Sequence, residues 1–241
     1  MTATRWPWIW MYHSVDHYAE DPYQVTVTPD RFARQMAWLA ARRLRGVAVS
    51  ELLEARRHGP ARDLVGLTFD DGYRDFLHRA VPVLRRHGFT ATVYVLSGRL
   101  GGTNQWDVPG PVKQLMTAEE IRAAAAEGME IASHGVSHVS LPTTGVGDLR
   151  DEIERSRAEL SDLVGRPVTG FAYPYGHVER REIEAVRSAG YAHAVGIAPH
   201  ERAGRHALPR TFVGERDGGV RLRAKDVRSQ MRVPDGEATF V

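Results

Sequence analysis

The sequence predicts a single-domain α/β barrel, and three observations carry that expectation. Short apolar runs of β character alternate with amphipathic helical stretches, no internal repeat or long linker divides the chain, and the polar motifs fall at the carboxyl ends of the predicted strands. With 241 residues, 42% of them hydrophobic and 26% charged, there is material for a sizeable core.

The elements follow in order. Trp8 to Tyr12 reads as a strand ending at His13. Pro29-Asp30 opens a helix whose Phe32, Met36, Leu39 and Ala40 recur at helical spacing. Val47 to Val49 reads as a strand after Gly46, and Ser50 as the cap of a helix through Arg57. Leu64 to Phe69 is a short apolar strand running straight into Asp70-Asp71-Gly72, followed by a helix from Asp75 to His87 that stops at Gly88. Thr90 to Leu96 is β-rich. Thr117-Ala118-Glu119-Glu120 is a capping box opening an alanine-rich helix that ends near Gly128. Met129 to Ala132 is a strand, Gly147 to Leu163 an amphipathic helix, and Thr169 to Tyr173 a strand ending in Pro174-Tyr175-Gly176. A helix from Arg180 to Ala189 leads through Gly190 to a strand from Tyr191 to Ile197. Residues 1–213 form the expected catalytic domain; 214–241, charged and glycine-rich with few core residues, are expected to be a weakly ordered tail or a partner contact.

Composition narrows the function. A net charge of +2 with interspersed signs gives no nucleic-acid surface. No cysteine is present, so any metal must be held by His, Asp or Glu. No apolar run approaches the roughly 18 residues that span a bilayer, and the amino-terminal segment lacks the pattern of a secretory leader. The expectation is a soluble, cytoplasmic protein without a membrane partner and with room for homo-oligomers.

Four segments carry chemistry. Asp70 and Asp71 follow a strand, so adjacent side chains point in different directions; one carboxylate can bind a metal while the other takes a proton from water. Asp-Gly is also an ordinary turn sequence. His134 and His138 stand four residues apart, a spacing that on a helical turn brings both imidazoles to one ion, although with 11 histidines a chance pair is expected too. Two His and one Asp leave a coordination position open, as a catalytic metal site requires. Phe171 to Gly176 can wall a substrate groove and present a backbone N–H to an oxyanion, or simply form a rigid turn. His13 suits a general acid, or a hydrogen-bonded buried histidine.

Together these segments resemble the polysaccharide deacetylase family, also called carbohydrate esterase family 4 or the NodB-homology domain, from about Trp8 to Val213. Thr68-Phe69-Asp70-Asp71-Gly72 is similar to the first family motif and His134 with His138 to the second. The resemblance implies a distorted (β/α)7-type barrel, Asp70 as catalytic base, and Asp71, His134 and His138 as ligands of Zn²⁺ or another divalent transition metal. Pro174-Tyr175-Gly176 looks like the third motif, with the Tyr175 N–H at the oxyanion. Two departures stand out: Ala172 occupies the position of an arginine that orients the base, and no Leu-x-His motif appears late in the chain. Both are similar to a permuted branch, that of the poly-N-acetylglucosamine deacetylases. There the acid histidine lies in an amino-terminal Tyr-His segment, matched by His13, and a late Leu-Pro-Arg segment supplies the arginine, matched by Arg210. Trp106, in the loop between Gly101 and Gly110, can stack on a sugar face or serve as a packing plug.

The implied reaction is metal-dependent removal of an acetyl group from an N-acetylated sugar, an oligosaccharide or a glycosylated small molecule. Two alternatives remain open. One keeps the site but changes the substrate to a formamide or N-acyl metabolite; the other is a non-catalytic binding protein on the same scaffold.

Overall fold

The computed structural model describes residues 6–197 and 204–231. β1 (Ile9–Tyr12) is wholly buried and leads through His13 to the short strand β2 (Ser14–Val15), which pairs with β3 (Thr26–Val27). Thr28 caps α1 (Pro29–Ala40), its hydroxyl accepting the Arg31 N–H, with Pro29 suited to the first turn. β4 (Arg45–Val47) precedes α2 (Val49–His58). The strand expected over Val47 to Val49 therefore ends earlier, and Ser50 is not the cap. The Ala48 and Val49 N–H groups donate to Thr90 Oγ1 and Thr92 Oγ1, so a neighbouring strand starts this helix.

β5 (Leu64–Phe69) is followed by a π-type turn over Phe76–Ala80 that continues into α3 (Val81–Arg86), then β6 (Thr92–Val95). α4 (Ala118–Ala126) opens on the expected capping box between Thr117 and Glu120, and β7 (Glu130–Ser133) follows. α5 (Val146–Arg150) and α6 (Ser156–Val164) form one helical stretch interrupted by a π-type turn. β8 (Gly170–Ala172), α7 (Arg180–Ser188), β9 (His193–Val195) and β10 (Thr211–Phe212) complete the alternation. From Gly214 the expected weakly ordered tail is instead a helix, α8 (Gly219–Met231), as far as the described residues extend, and its Leu222 packs into the main core.

Apart from the separate β2–β3 pair, the strands form one parallel sheet in the order β10-β1-β5-β6-β7-β8-β9, with β4 alongside the start of β5. The sheet curls as the barrel reading requires. A single segment touches both of its edges: Leu208 pairs with Val195, while Thr211 and Phe212 pair with Trp10 and Met11. Alternation along each strand separates two apolar clusters. Trp10, Tyr12, Val93, Ile131 and Phe171 face the helices, whereas Ile9, Tyr94, Ala132, Ala172 and Val195 face inward. Because every strand runs the same way, His13, Asp70, His134 and Tyr173 all emerge at one end.

An aromatic cluster fixes the two strands that deliver His13 and Asp70. Phe69 stacks on Tyr12 at 5.3 Å and meets Phe32 at 5.7 Å and Phe76 at 4.8 Å. Each such pair contributes about 0.5–1.5 kcal/mol beyond its buried area.

Candidate active site

β5 delivers two buried carboxylates with separate environments. Asp70 receives a bidentate grip from Arg210, with Nη1 at 2.6 Å from Oδ1 and Nη2 at 2.7 Å from Oδ2. The guanidinium is itself held by Thr68 Oγ1 and the Gly196 carbonyl. Planar, two-point pairing of this kind fixes the carboxylate plane as well as its charge. Burial pushes the Asp70 carboxyl up, but Arg210, with His134 and His13, outweighs it and holds the group below the usual carboxylate range. Asp70 is therefore ionised at neutral pH.

Asp71 turns the other way because its φ is 70°, a left-handed conformation continued by Gly72 at 71°. His134 Nε2 and His138 Nε2 stand 3.4 Å and 3.3 Å from Asp71 Oδ1. Neither approach is aligned as a hydrogen bond, so this buried oxygen has no hydrogen-bond partner. One ligand atom from each of the three residues lies within 4.8 Å of the others. The His134 Nδ1–H donates to the Ala172 carbonyl at 2.8 Å, which leaves its Nε2 lone pair facing the cluster. A buried, unbonded carboxylate oxygen facing two imidazoles fits a divalent cation, and two nitrogens with one oxygen suit zinc or a similar transition metal. Burial raises the Asp71 carboxyl, yet the imidazoles of His134 and His138 bring it well below its ordinary value.

The two histidines converge by a turn rather than by a helix. Gly135 has φ 88° and His138 φ 66°, and β7 ends at Ser133. The four-residue spacing thus works here for a different reason from the expected one.

The other predicted residues gather around this pair. His13 Nε2 lies 4.0 Å from Asp70 Oδ2, and its Nδ1 is buried without a hydrogen-bond partner. Tyr175, half exposed with φ 59°, follows buried Pro174 and meets the His138 ring at 4.5 Å. Trp106 stacks on the His138 ring at 4.4 Å, so Trp106, His138 and Tyr175 form an aromatic wall. His13, Asp70, Asp71, Trp106, His134, His138, Tyr175 and Arg210 thus lie in one constellation, whereas Phe171 and Tyr173, from the segment expected to wall a groove, are buried in the core.

A family model described as polysaccharide deacetylase matches residues 57–194, more than half of the chain. The chain belongs to the polysaccharide deacetylase family. Relatives agree. YxkH of Bacillus subtilis, provisionally named a polysaccharide deacetylase, is 26% identical over 210 residues, covering 85% of this chain and 70% of its own length. The poly-β-1,6-N-acetyl-D-glucosamine N-deacetylase of Escherichia coli K12 is 25% identical over 224 residues; the match covers 75% of this chain and 32% of that enzyme, about a third of its length. The Streptococcus pyogenes deacetylase PplD, solved with acetate, superposes with a TM-score of 0.77 at 22% identity, covering 93% of this chain and 99% of its own. That likeness shows the shared barrel-type fold. Family membership places the chain among hydrolases that act on N-acetyl groups.

Around this candidate site the sequence reading missed the supports. Glu152 accepts the Val136 N–H at 2.6 Å, the Ser137 N–H at 3.1 Å and a very short bond from Ser137 Oγ, bracing the loop between His134 and His138. Asp75 accepts the Ser14 hydroxyl and the Val15 N–H, anchoring the stretch after His13. Tyr73 and Asn104 donate to Asp107, which fixes the loop carrying Trp106. No local motif marks these acids, which act on backbone N–H groups and hydroxyls that any sequence offers.

Proposed function

We propose that this polysaccharide deacetylase family member is a divalent-metal-dependent hydrolase that removes an acetyl group from an N-acetylated sugar. One observation supports the reading above all: a buried carboxylate gripped by arginine stands directly beside a buried Asp-His-His triad. Asp71, His134 and His138 would hold the cation. Bound there, a divalent cation supplies Lewis acidity toward water and a carbonyl oxygen.

The remaining chemistry belongs to the protein. Asp70, ionised and oriented by Arg210, accepts a proton from the attacking water as its oxygen bonds to the amide carbon. The Tyr175 N–H is offered to the oxygen that gains charge. His13, facing Asp70 across the site, gives a proton to the nitrogen as the carbon–nitrogen bond breaks, because an amine leaves poorly as an anion. Acetate and a free amine result. Trp106 and Tyr175 present ring faces suited to a sugar.

The test combines metal analysis with acetate release from N-acetylglucosamine oligomers. Asp70→Asn is expected to retain cation and lose turnover by at least about 10³-fold, whereas His134→Ala loses both. Turnover by Asp70→Asn at the wild-type rate refutes the assignment of the base.

A further inference from the structure

A groove of about 700 Å³ opens between α8, β10 and the loop that joins β2 to β3. Its wall includes Thr26 and Gly214. Thr26 pairs with Ser14, and the Val213 N–H donates to the Met11 carbonyl. Neighbouring strands lie about 4.8 Å apart, so the groove begins one strand away from the stretch that bears His13.

The charges in this groove are unequal in their commitments. Its acids are already engaged. Asp21 accepts the Val25 and Thr26 N–H groups, Glu215 accepts from Thr28 and faces Arg31, and Asp217 takes the Gly214 N–H and Lys225 Nζ. The guanidinium groups of Arg216, Arg221 and Arg228 make no hydrogen bond or ion pair among the described residues. Arg150, Arg155 and Arg180 on other helices each pair with a glutamate one turn on, whereas Arg216, Arg221 and Arg228 line one groove without such a partner. On α8 the positions i, i+4 and i+7 hold Arg221, Lys225 and Arg228, so two uncommitted guanidinium groups about 10 Å apart along one face flank a lysine already held by Asp217 and the Phe212 carbonyl. Tyr18 and Phe212 add exposed aromatic surface beside it.

We infer that this groove binds a phosphate or diphosphate group carried by the substrate on the side remote from its acetamide. The inference rests on the deacetylase reading above. Guanidinium forks match phosphate oxygens two at a time, and a row of this length accommodates two linked phosphates, whereas a single carboxylate would engage only one end of it. The rings of Tyr18 and Phe212 then meet the apolar face of whatever follows the phosphate, a nucleoside or a prenyl chain.

The experiment uses the full chain and the variant Arg221→Gln/Arg228→Gln, both positions exposed and outside the catalytic centre. Inorganic pyrophosphate is titrated calorimetrically at low ionic strength. Acetate release is then followed with a nucleoside-diphosphate N-acetyl sugar, a prenyl-diphosphate N-acetyl sugar and an uncharged N-acetylglucosamine oligomer. Pyrophosphate is expected to bind the wild type and to weaken at least about tenfold in the variant. KM for one diphosphate substrate should rise by a similar factor with kcat held within about twofold, and the uncharged substrate should be unaffected. The diphosphate arm that responds identifies the carrier. Pyrophosphate binding that is absent, or equal in the two proteins, overturns the inference, as does an equal loss on the uncharged substrate. Pyrophosphate binding without acetate release from any substrate would leave the groove standing and remove the deacetylase reading instead.

Discussion

Replacing Arg210 by methionine removes both bonds to Asp70 while keeping an unbranched stem in the same space. In the native protein the folded-state pKa of Asp70 is depressed, because Arg210 outweighs burial. Asp70 therefore contributes stability that is present above its unfolded value of about 3.9 and lost as pH falls through the folded one. In Arg210→Met the balance reverses. Burial then dominates, the carboxyl titrates above about 3.9, and the variant is worst off at neutral pH, recovering relative to wild type as acid neutralises the stranded charge. The side chains are 1% and 4% exposed, so solvent screens little of this pair. Breaking a buried pair from one side costs about 3–5 kcal/mol, and Arg210→Met/Asp70→Asn should regain a substantial part of it. Urea denaturation of wild type, both single variants and the double variant, at pH 7 and pH 5 with chelator present, measures the coupling. We expect at least about 1.5 kcal/mol at pH 7 and less at pH 5. Additive single effects at both pH values refute the claim that Arg210 keeps Asp70 ionised.

Other consequences are equally direct. Glu152→Ala strips three acceptor contacts from the loop between His134 and His138; stability should fall by about 2–3 kcal/mol and divalent-cation affinity by about 10–100-fold, checked by equilibrium dialysis. Unchanged affinity would show that the loop holds its shape alone. His193, buried on β9 with Nε2 unbonded, has its pKa lowered by burial, despite the opposing charge of Glu130. Its stability contribution is present above the unfolded value of about 6.5 and declines as pH falls from there toward the folded pKa. His193→Phe should flatten that part of the melting temperature against pH; an unaltered slope contradicts it. Gly176→Ala would place a methyl 2.5 Å from Ile197 Cγ1 at φ 70°, so a loss of about 1–2 kcal/mol is expected in thermal melts, and a neutral substitution would mean that the Tyr175 turn is free to adjust.

Much of this architecture was legible because local chemistry and tertiary packing agree. Thr117 and Glu120 satisfy each other's backbone donors within one turn, so the start of α4 is written in four residues. Leu64 to Phe69 is apolar on both faces because the strand is covered on both, and it ends where the charge begins. The start of α2 was misplaced because its donors are met by Thr90 and Thr92, some 40 positions later. α8 was missed for a similar reason: its sequence is polar, Leu222 is its one residue in the main core among the described side chains, and its place depends on contacts with distant strands. In the site, adjacency disclosed Asp70 with Asp71 and spacing disclosed His134 with His138. Glu152 and Asp75 act through backbone N–H groups that any sequence possesses, and no pattern announces an acceptor of that kind.

The segment that touches both edges of the sheet also has a temporal meaning. Asp70 and Arg210 are separated by 140 positions, and Arg210 lies between Leu208, paired to β9, and Thr211, paired to β1. The cluster of Asp71, His134 and His138 draws only on earlier parts of the chain. During synthesis or refolding, the Asp71, His134 and His138 cluster can thus assemble before Asp70 is gripped and oriented by Arg210. Non-local closure is the slow part of such a topology. A chain that stalls, is clipped before residue 210 or fails to bring its edges together keeps Asp71, His134 and His138 but lacks the guanidinium that grips Asp70. On the function proposed above, hydrolytic power would arrive with this last segment, and half-made molecules would stay silent.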